Sequence, residues 1–369
     1  MSISPFPRIQ TFGAPYQRGQ QYGSQAASYV QLSLEAYQQI FVHYTGWAWE
    51  QVCQHAMLYL PAIGNFRAHL VDEMQGIADG AGVSLADIIA INVRTEILNA
   101  AFAKKATAEC TSFYTTTEID TDRHIIIGEN WDWKPATARA VVLLESSPDQ
   151  GPNFMTIVEA GLLAKMGMNS AGIGLATNAL STNLDVGLPG VPYHIILRSI
   201  LESSSFDEAA SMVQTAGRAS SANYMIANRD GKVLDLETGP GVGAENLFLQ
   251  PVGPGYVHTN HFMCAQPPFT DVGLQQGPDS PIREERMKRL LLQGDSGRVL
   301  ETIMAALGDH QNHPFGICAH PEESSPEAEQ YATIASLIMD LTTRQAWLAG
   351  GNPCQAQYQH LDYGEFLAG

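Results

Sequence analysis

The chain has 369 residues, of which 45% are apolar and 16% charged, and its mean hydropathy is -0.09; this excludes a disordered or fibrous chain and allows one large globular unit or two smaller ones. Twenty basic against thirty-eight acidic side chains give a formal charge of -18, and no Lys/Arg cluster could neutralise a run of phosphates, so nucleic acid is not an expected partner. The opening residues Met1 to Arg8 lack a basic region followed by an apolar one, and no apolar run reaches the length of a membrane span, so no membrane partner is expected and a cytoplasmic location is.

Apolar residues at three- and four-residue spacing predict helices over Val30 to Phe41, Trp49 to Leu60 and Leu70 to Ala81. Ser84 is an N-cap candidate with Asp87 in the first turn, and the helix it starts is expected to end near Leu98 to Ala101. From Cys110 the texture changes to strands. Thr111 to Thr117, a polar turn over Glu118 to Asp122, and His124 to Gly128 read as a hairpin. Further strands are expected at Ala140 to Glu145, Asn153 to Ala160, Gly172 to Thr177, Tyr224 to Asn228, Val233 to Leu236, Gly255 to Asn260, Ile334 to Leu341 and Gln345 to Ala349. Helices are expected at Tyr193 to Glu202, Phe206 to Thr215, Arg283 to Leu292 and Arg298 to Leu307, with long loops at Ala265 to Asp279 and Asp309 to Gln330. Gly239-Pro-Gly-Val-Gly243 has no following Gly-Lys-Ser/Thr and reads as a turn between strands, not a phosphate cradle.

The cysteines Cys53, Cys110, Cys264, Cys318 and Cys354 are odd in number and contain no C-x-x-C, so reduced thiols are expected, with one of them a candidate nucleophile. Cys110 stands out because it lies between polar neighbours, Glu109, Thr111 and Ser112, where the helical region gives way to the first strand. The competing reading is a buried core thiol. His258, His261 and Cys264 are three potential ligands within seven residues, but 258 and 261 fall on opposite faces of the expected strand, so no metal is expected there or elsewhere, and no cofactor.

Several blocks, in this order and spacing, resemble one known family: Gly13-Ala-Pro-Tyr-Gln-Arg-Gly-Gln-Gln-Tyr-Gly23, Glu73-Met-Gln-Gly-Ile-Ala-Asp-Gly-Ala-Gly-Val83, Asn92-Val-Arg-Thr-Glu96, Cys110-Thr-Ser, Gly128-Glu-Asn-Trp-Asp132, Lys165-Met-Gly-Met-Asn-Ser-Ala-Gly-Ile173, Ala227-Asn-Arg-Asp-Gly231 and His258-Thr-Asn-His-Phe262. The family is the penicillin acyltransferases, that is, acyl-coenzyme A:6-aminopenicillanic acid acyltransferase and its relatives among the cysteine N-terminal-nucleophile hydrolases, and the resemblance spans nearly the whole chain. It implies an α+β fold of four αββα layers with an α-rich N-terminal segment. It also implies a zymogen that cuts itself between Glu109 and Cys110, leaving residues 1–109 as an α chain and residues 110–369 as a β chain that stay together. The implied catalytic residues are Cys110 as nucleophile, Asp132 as the carboxylate near the new α-amino group, and Asn260 as oxyanion donor, with Thr111 and Asn130 in support. Arg94 and Glu96 are expected as a structural ion pair behind the cleavage junction. The chemistry fits, because an α-amine titrates at roughly 7.7–8.0 and can serve as base to its own thiol near neutral pH, where a lysine at about 10.4 could not.

The implied substrate is a small-molecule amide or thioester, β-lactam-type compounds included, and a homo-oligomer is a further partner to consider. One departure from the family pattern is that Ile317-Cys318 is followed by Ala319 and His320, where the family often has an arginine. Two other readings remain open at this point. One is a papain-like hydrolase without autocleavage, with His258 or His261 serving Cys110, and the other is a non-catalytic binding protein that keeps the fold.

Overall fold

The β-branched and aromatic runs after Cys110 form two long strands, Glu109–Ile119 and Asp122–Trp133, paired antiparallel in unbroken register. They are the centre of a six-stranded antiparallel sheet in the computed structural model, which describes residues 4–102, 109–119, 122–250, 252–293 and 298–368. Tyr256–His258 flanks the pair on one side, and Ala332–Asp340, Gln345–Gly350 and Gln359–Asp362 continue it on the other.

Side chains alternate across this sheet. Ser112, Tyr114, Ile125 and Ile127 face a second, eight-stranded sheet, while Phe113, Ile126 and Ile338 face outward and pack with Met287, Ile303 and Leu307 of helices Ser280–Gln293 and Val299–Leu307. In the eight-stranded sheet, Arg8–Gly13 pairs parallel with Val141–Pro148. Antiparallel neighbours follow in the order Phe154–Glu159, Met166–Asn169, Ile173–Ala179, Ala222–Asn228, Val233–Thr238 and Leu247–Gln250. The N-terminal helices, with Tyr193–Leu201 and Phe206–Thr215, cover its outer face. The result is the expected α+β architecture of four αββα layers. No single described helix is long and apolar enough to cross a membrane.

Two expected helices differ in extent. The segment starting at Ser84 is two helices, Leu85–Asn92 and Arg94–Phe102. Asn92 is fully buried and spends its side chain on the carbonyls of Ile88 and Gly161 and the N–H of Leu163, which diverts the chain at Val93. The helix expected at Leu70 runs from Leu60 to Ala81 with a break at Arg67. The strands Arg8–Gly13, Met166–Asn169, Leu247–Gln250 and Gln359–Asp362 were not anticipated. Met-Gly-Met-Asn, for instance, carries no β-branched residue and is held extended by its neighbours on both sides. Residues 103–108, immediately before Glu109, lie outside the described residues.

Helix Pro15–Gln25 lies directly on Leu60–Ala81, backbone against backbone. A Cβ on Gly19 would sit 2.0 Å from the Glu73 carbonyl oxygen, and one on Gly76 would sit 2.2 Å from that of Tyr16. The close approach also delivers Arg18 to Glu73, which accepts Arg198 of helix Tyr193–Leu201 at 2.7 Å from the other side, so one buried carboxylate joins three helices. Gly19→Ala therefore forces the helices apart. A loss of about 3 kcal/mol, read as a lower urea midpoint for the Gly19→Ala chain than for the parent, is the expected outcome.

Candidate active site

The hairpin register sets Glu109 opposite Asp132, Cys110 opposite Trp131 and Thr111 opposite Asn130. Cys110 is 2% exposed and points between the sheets. Its thiol donates to the carboxylate of Glu129 and accepts the backbone N–H of Asp132. Glu129 is itself bound on both oxygens, by Lys165 Nζ at 2.6 Å and by the Thr177 N–H at 2.8 Å. Burial, together with the nearby charges of Glu129 and Asp132, pushes the Cys110 thiol up to about 12 in the intact chain, with Lys165 acting in the opposite direction. Burial also raises the Glu129 carboxyl against the pull of Lys165. Lys165 loses hydration as well, but Glu129 and Cys110 facing it hold its pKa above the ordinary lysine value.

The backbone of Cys110 is held as firmly as its side chain. Its N–H donates to Asn260 Oδ1 at 2.7 Å, and its carbonyl accepts Arg283 Nη1 at 2.9 Å and Asn178 Nδ2 at 3.2 Å. Arg283 is 1% exposed. It reaches Asp279 through Nε, Thr111 Oγ1 through Nη1 and Asn260 Oδ1 through Nη2 at 3.1 Å. Because Asn260 Oδ1 takes two N–H donors, its amide orientation is fixed by the network, and Nδ2 donates to the Ala179 carbonyl at 2.9 Å. In the intact chain Asn260 thus offers Cys110 an acceptor, whereas the sequence reading gave it a donor's role. The second N–H of Nδ2 has no hydrogen-bond acceptor among the described residues.

The remaining candidates fall around this centre. Asp132 accepts Thr333 Oγ1 at 2.5 Å. Asn130 projects to the other face of the sheet and donates to the carbonyls of Leu307 and Ile317, both at 2.8 Å, so it anchors the chain that crosses outside the sheet. Arg94 pairs with Glu159 at 3.2 Å and lies over the Trp133 ring at 4.1 Å. Glu96 accepts the Tyr193 N–H at 2.8 Å and Ser220 Oγ at 2.7 Å. The expected direct Arg94–Glu96 pair is therefore corrected to two separate buried anchors. Two residues apart on one helix, the side chains diverge: Arg94 reaches the strand Phe154–Glu159, and Glu96 the start of helix Tyr193–Leu201 and the loop at Ser220.

His258 donates from Nδ1 to the Thr259 carbonyl and from Nε2 to Glu237 at 2.8 Å. Burial opposes its charge, but Asp235 and Glu237 outweigh it and raise its pKa. His261 meets Ser280 and Thr259 instead, and burial beside the charged His258 lowers it to about 4.

Sequence reasoning passed over Glu129, Lys165, Asn178 and Arg283. Glu129 carried a signal, because strand alternation puts 129 on the same face as Trp131, and a carboxylate there demands a partner. Arg283 carried none, since its helix meets Cys110 only through tertiary packing. A small cavity of about 30 Å³ opens on Cys110 and Lys165, walled by Leu98, Trp131, Trp133, Leu180 and Tyr193. The loop that follows Ala179 contributes Leu180 and Ser181 to it. The segment Ala265 to Asp279 does not.

The sequence profile of the acyl-coenzyme A:6-aminopenicillanic acid acyl-transferase family matches residues 118–355. The acyl-coenzyme A:6-aminopenicillanic-acid-acyltransferase 40 kDa form of Emericella nidulans is 32% identical over 287 residues, 76% of this chain and 75% of that one. Similar solved structures include the Caenorhabditis elegans ortholog of N-acylethanolamine-hydrolyzing acid amidase, at 13% identity over 63% of this chain and 93% of that one with a TM-score of 0.45. They also include a conjugated bile acid hydrolase from Clostridium perfringens, at 14% identity over 70% and 94% with a TM-score of 0.45. With the profile covering more than half of the chain and the relative matched over three quarters of it, this protein belongs to the acyl-coenzyme A:6-aminopenicillanic acid acyl-transferase family.

Proposed function

We propose that the protein is a self-processing cysteine amidohydrolase or acyltransferase whose nucleophile is Cys110. The observation that carries this reading is the thiol itself, buried at the end of a pocket, bonded to Glu129 and to the Asp132 N–H, with its own backbone nitrogen held by Asn260. In the intact chain the thiol proton passes to Glu129, and Sγ attacks the Glu109 carbonyl carbon. The C–N bond breaks as the Cys110 nitrogen takes up a proton, leaving a thioester, and water then hydrolyses it to a Glu109 carboxylate and a free thiol.

The new α-amine inherits the Asn260 Oδ1 acceptor that held the amide N–H. That contact orients it beside its own thiol, and Asp132, on the paired strand, favours its ammonium form when the thiol has given up its proton. Attack on a substrate amide or thioester carbonyl gives an acyl-enzyme, its oxyanion met by the second N–H of Asn260 Nδ2 and a backbone N–H; one such donor contributes about 3–4 kcal/mol. Water or an amine releases the acyl group. The apolar walls of the pocket favour a hydrocarbon-rich acyl group, and the family relative makes acyl-coenzyme A and 6-aminopenicillanic acid the first donor and acceptor to test.

The papain-like alternative is disfavoured because both ring nitrogens of His258 are engaged with Thr259 and Glu237, and His261 is turned toward Ser280. Intact-mass spectrometry under denaturing conditions is expected to find the wild type as pieces of about 12 and about 28 kDa, the shares of 40.0 kDa carried by residues 1–109 and 110–369, and Cys110→Ala whole. A wild type that stays at 40.0 kDa while still turning over an N-acyl amide would overturn self-processing and keep the enzyme. For Glu129→Gln, which keeps the shape of the side chain but removes the base, the expected outcome is scission slowed by about 10²–10⁴-fold in a time course of freshly synthesised protein.

A further inference from the structure

Four side chains outside the Cys110 pocket converge on one point: His310, Cys318 and His320 of one loop and Cys354 of a later turn. Their ligand atoms all lie within 4.8 Å of one another. His310 Nε2 is 3.0 Å from His320 Nε2, and the His320 nitrogen is 3.6 Å from Cys318 Sγ and 3.4 Å from Cys354 Sγ. A tetrahedral Zn²⁺ with bonds of about 2.3 Å to sulfur and about 2.0–2.1 Å to nitrogen keeps its ligand atoms about 3.3–3.8 Å apart. The cluster has the donor set, the number and nearly the spacing of such a centre. Its sulfurs are also provided for: Asn352 Nδ2 lies 3.5 Å from Cys318 Sγ, and the Cys354 backbone N–H donates to the same sulfur, contacts of the kind that steady a metal-bound thiolate.

We propose that His310, Cys318, His320 and Cys354 form a structural Zn²⁺ site that clasps the 309–320 loop to the turn at 351–356. Two nitrogens and two thiolates select zinc over the oxygen-seeking Mg²⁺ and Ca²⁺, and four protein ligands leave no open position for catalysis. The sequence reading weighed only His258, His261 and Cys264 as ligands; here three ligands share one loop, and the fourth, Cys354, thirty-four residues after His320, joins them only when Ala332–Asp340 and Gln345–Gly350 pair. What the ion would brace is specific. The Ile317 carbonyl accepts Asn130, and the Ala319 N–H donates to Thr333 Oγ1, the same hydroxyl that binds Asp132. Its second role, steadying Asp132, rests on the function proposed above; metal binding itself does not.

The test is anaerobic titration of the reduced, chelator-stripped full-length protein with Co²⁺, followed by Zn²⁺. One Co²⁺ per chain is expected, with the intense d–d absorption of a tetrahedral site and thiolate-to-metal charge transfer, both bleached by one Zn²⁺. Cys318→Ser with Cys354→Ser should abolish the charge-transfer band, and His310→Ala, at an exposed position, should weaken Co²⁺ binding and shift the d–d bands in a chain that folds normally. Cys264→Ser and Cys110→Ala should leave both unchanged, which separates this outcome from the fate of the Cys110 reading. A wild type that binds no Co²⁺, or a spectrum that survives in the Cys318/Cys354 variant, overturns the proposal.

Discussion

The ion pair between Glu129 and Lys165 bridges the two sheets at 2.6 Å with both groups closed to solvent. One partner stands on the six-stranded sheet, the other immediately precedes the strand Met166–Asn169 of the eight-stranded sheet, and Glu129 also takes the Thr177 N–H from the same side. Apolar packing alone lets two stacked sheets slide, since dispersion contacts have little direction. A buried carboxylate with three partners does not slide. Removing Lys165 would leave that carboxylate uncompensated at a cost of about 3–5 kcal/mol, so the sheets and the thiol resting on Glu129 are held in one relative position.

The same economy of charge recurs around Cys110. Asp279 holds Arg283, Arg283 holds the Cys110 carbonyl and the Asn260 oxygen, and Asn260 holds the Cys110 nitrogen. Each link satisfies a group that burial would otherwise penalise, and together they fix a backbone whose neighbouring bond is the proposed site of scission. A residue constrained on nitrogen, carbonyl and sulfur at once has little freedom left to lose on reaching a reactive geometry.

Much of this was legible from the sequence because it is local. The hairpin following Cys110 is written in β-branched and aromatic residues, and Ser84 caps a helix as its spacing with Asp87 suggests. The block order gave the family. The illegible parts are those made by distant segments: Met166–Asn169 is a strand by neighbourhood, not composition, and Arg283 reaches Cys110 across more than one hundred and seventy residues. Asn260 was found but its polarity was not, because which end of an amide faces a partner depends on the donors around it, and Arg283 supplies one of them. Arg94 and Glu96 are close in sequence, yet the helix turn sends one to a strand at Glu159 and the other to the start of helix Tyr193–Leu201.

The first hundred residues do not sit beside the rest of the protein as a detachable cap. Tyr22, Tyr37, Ile63 and Met74 belong to the same apolar core as Leu143, Ile157 and Leu175, and the ion pairs Glu73–Arg198 and Arg94–Glu159 cross that boundary. A severed backbone between Glu109 and Cys110 would therefore change the molecularity of folding while leaving the folded shape in place. Before the cut, unfolding and refolding involve one molecule. After it, the two pieces must find each other again, so recovery from denaturation becomes dependent on dilution, and survival rests on how slowly the native pair comes apart.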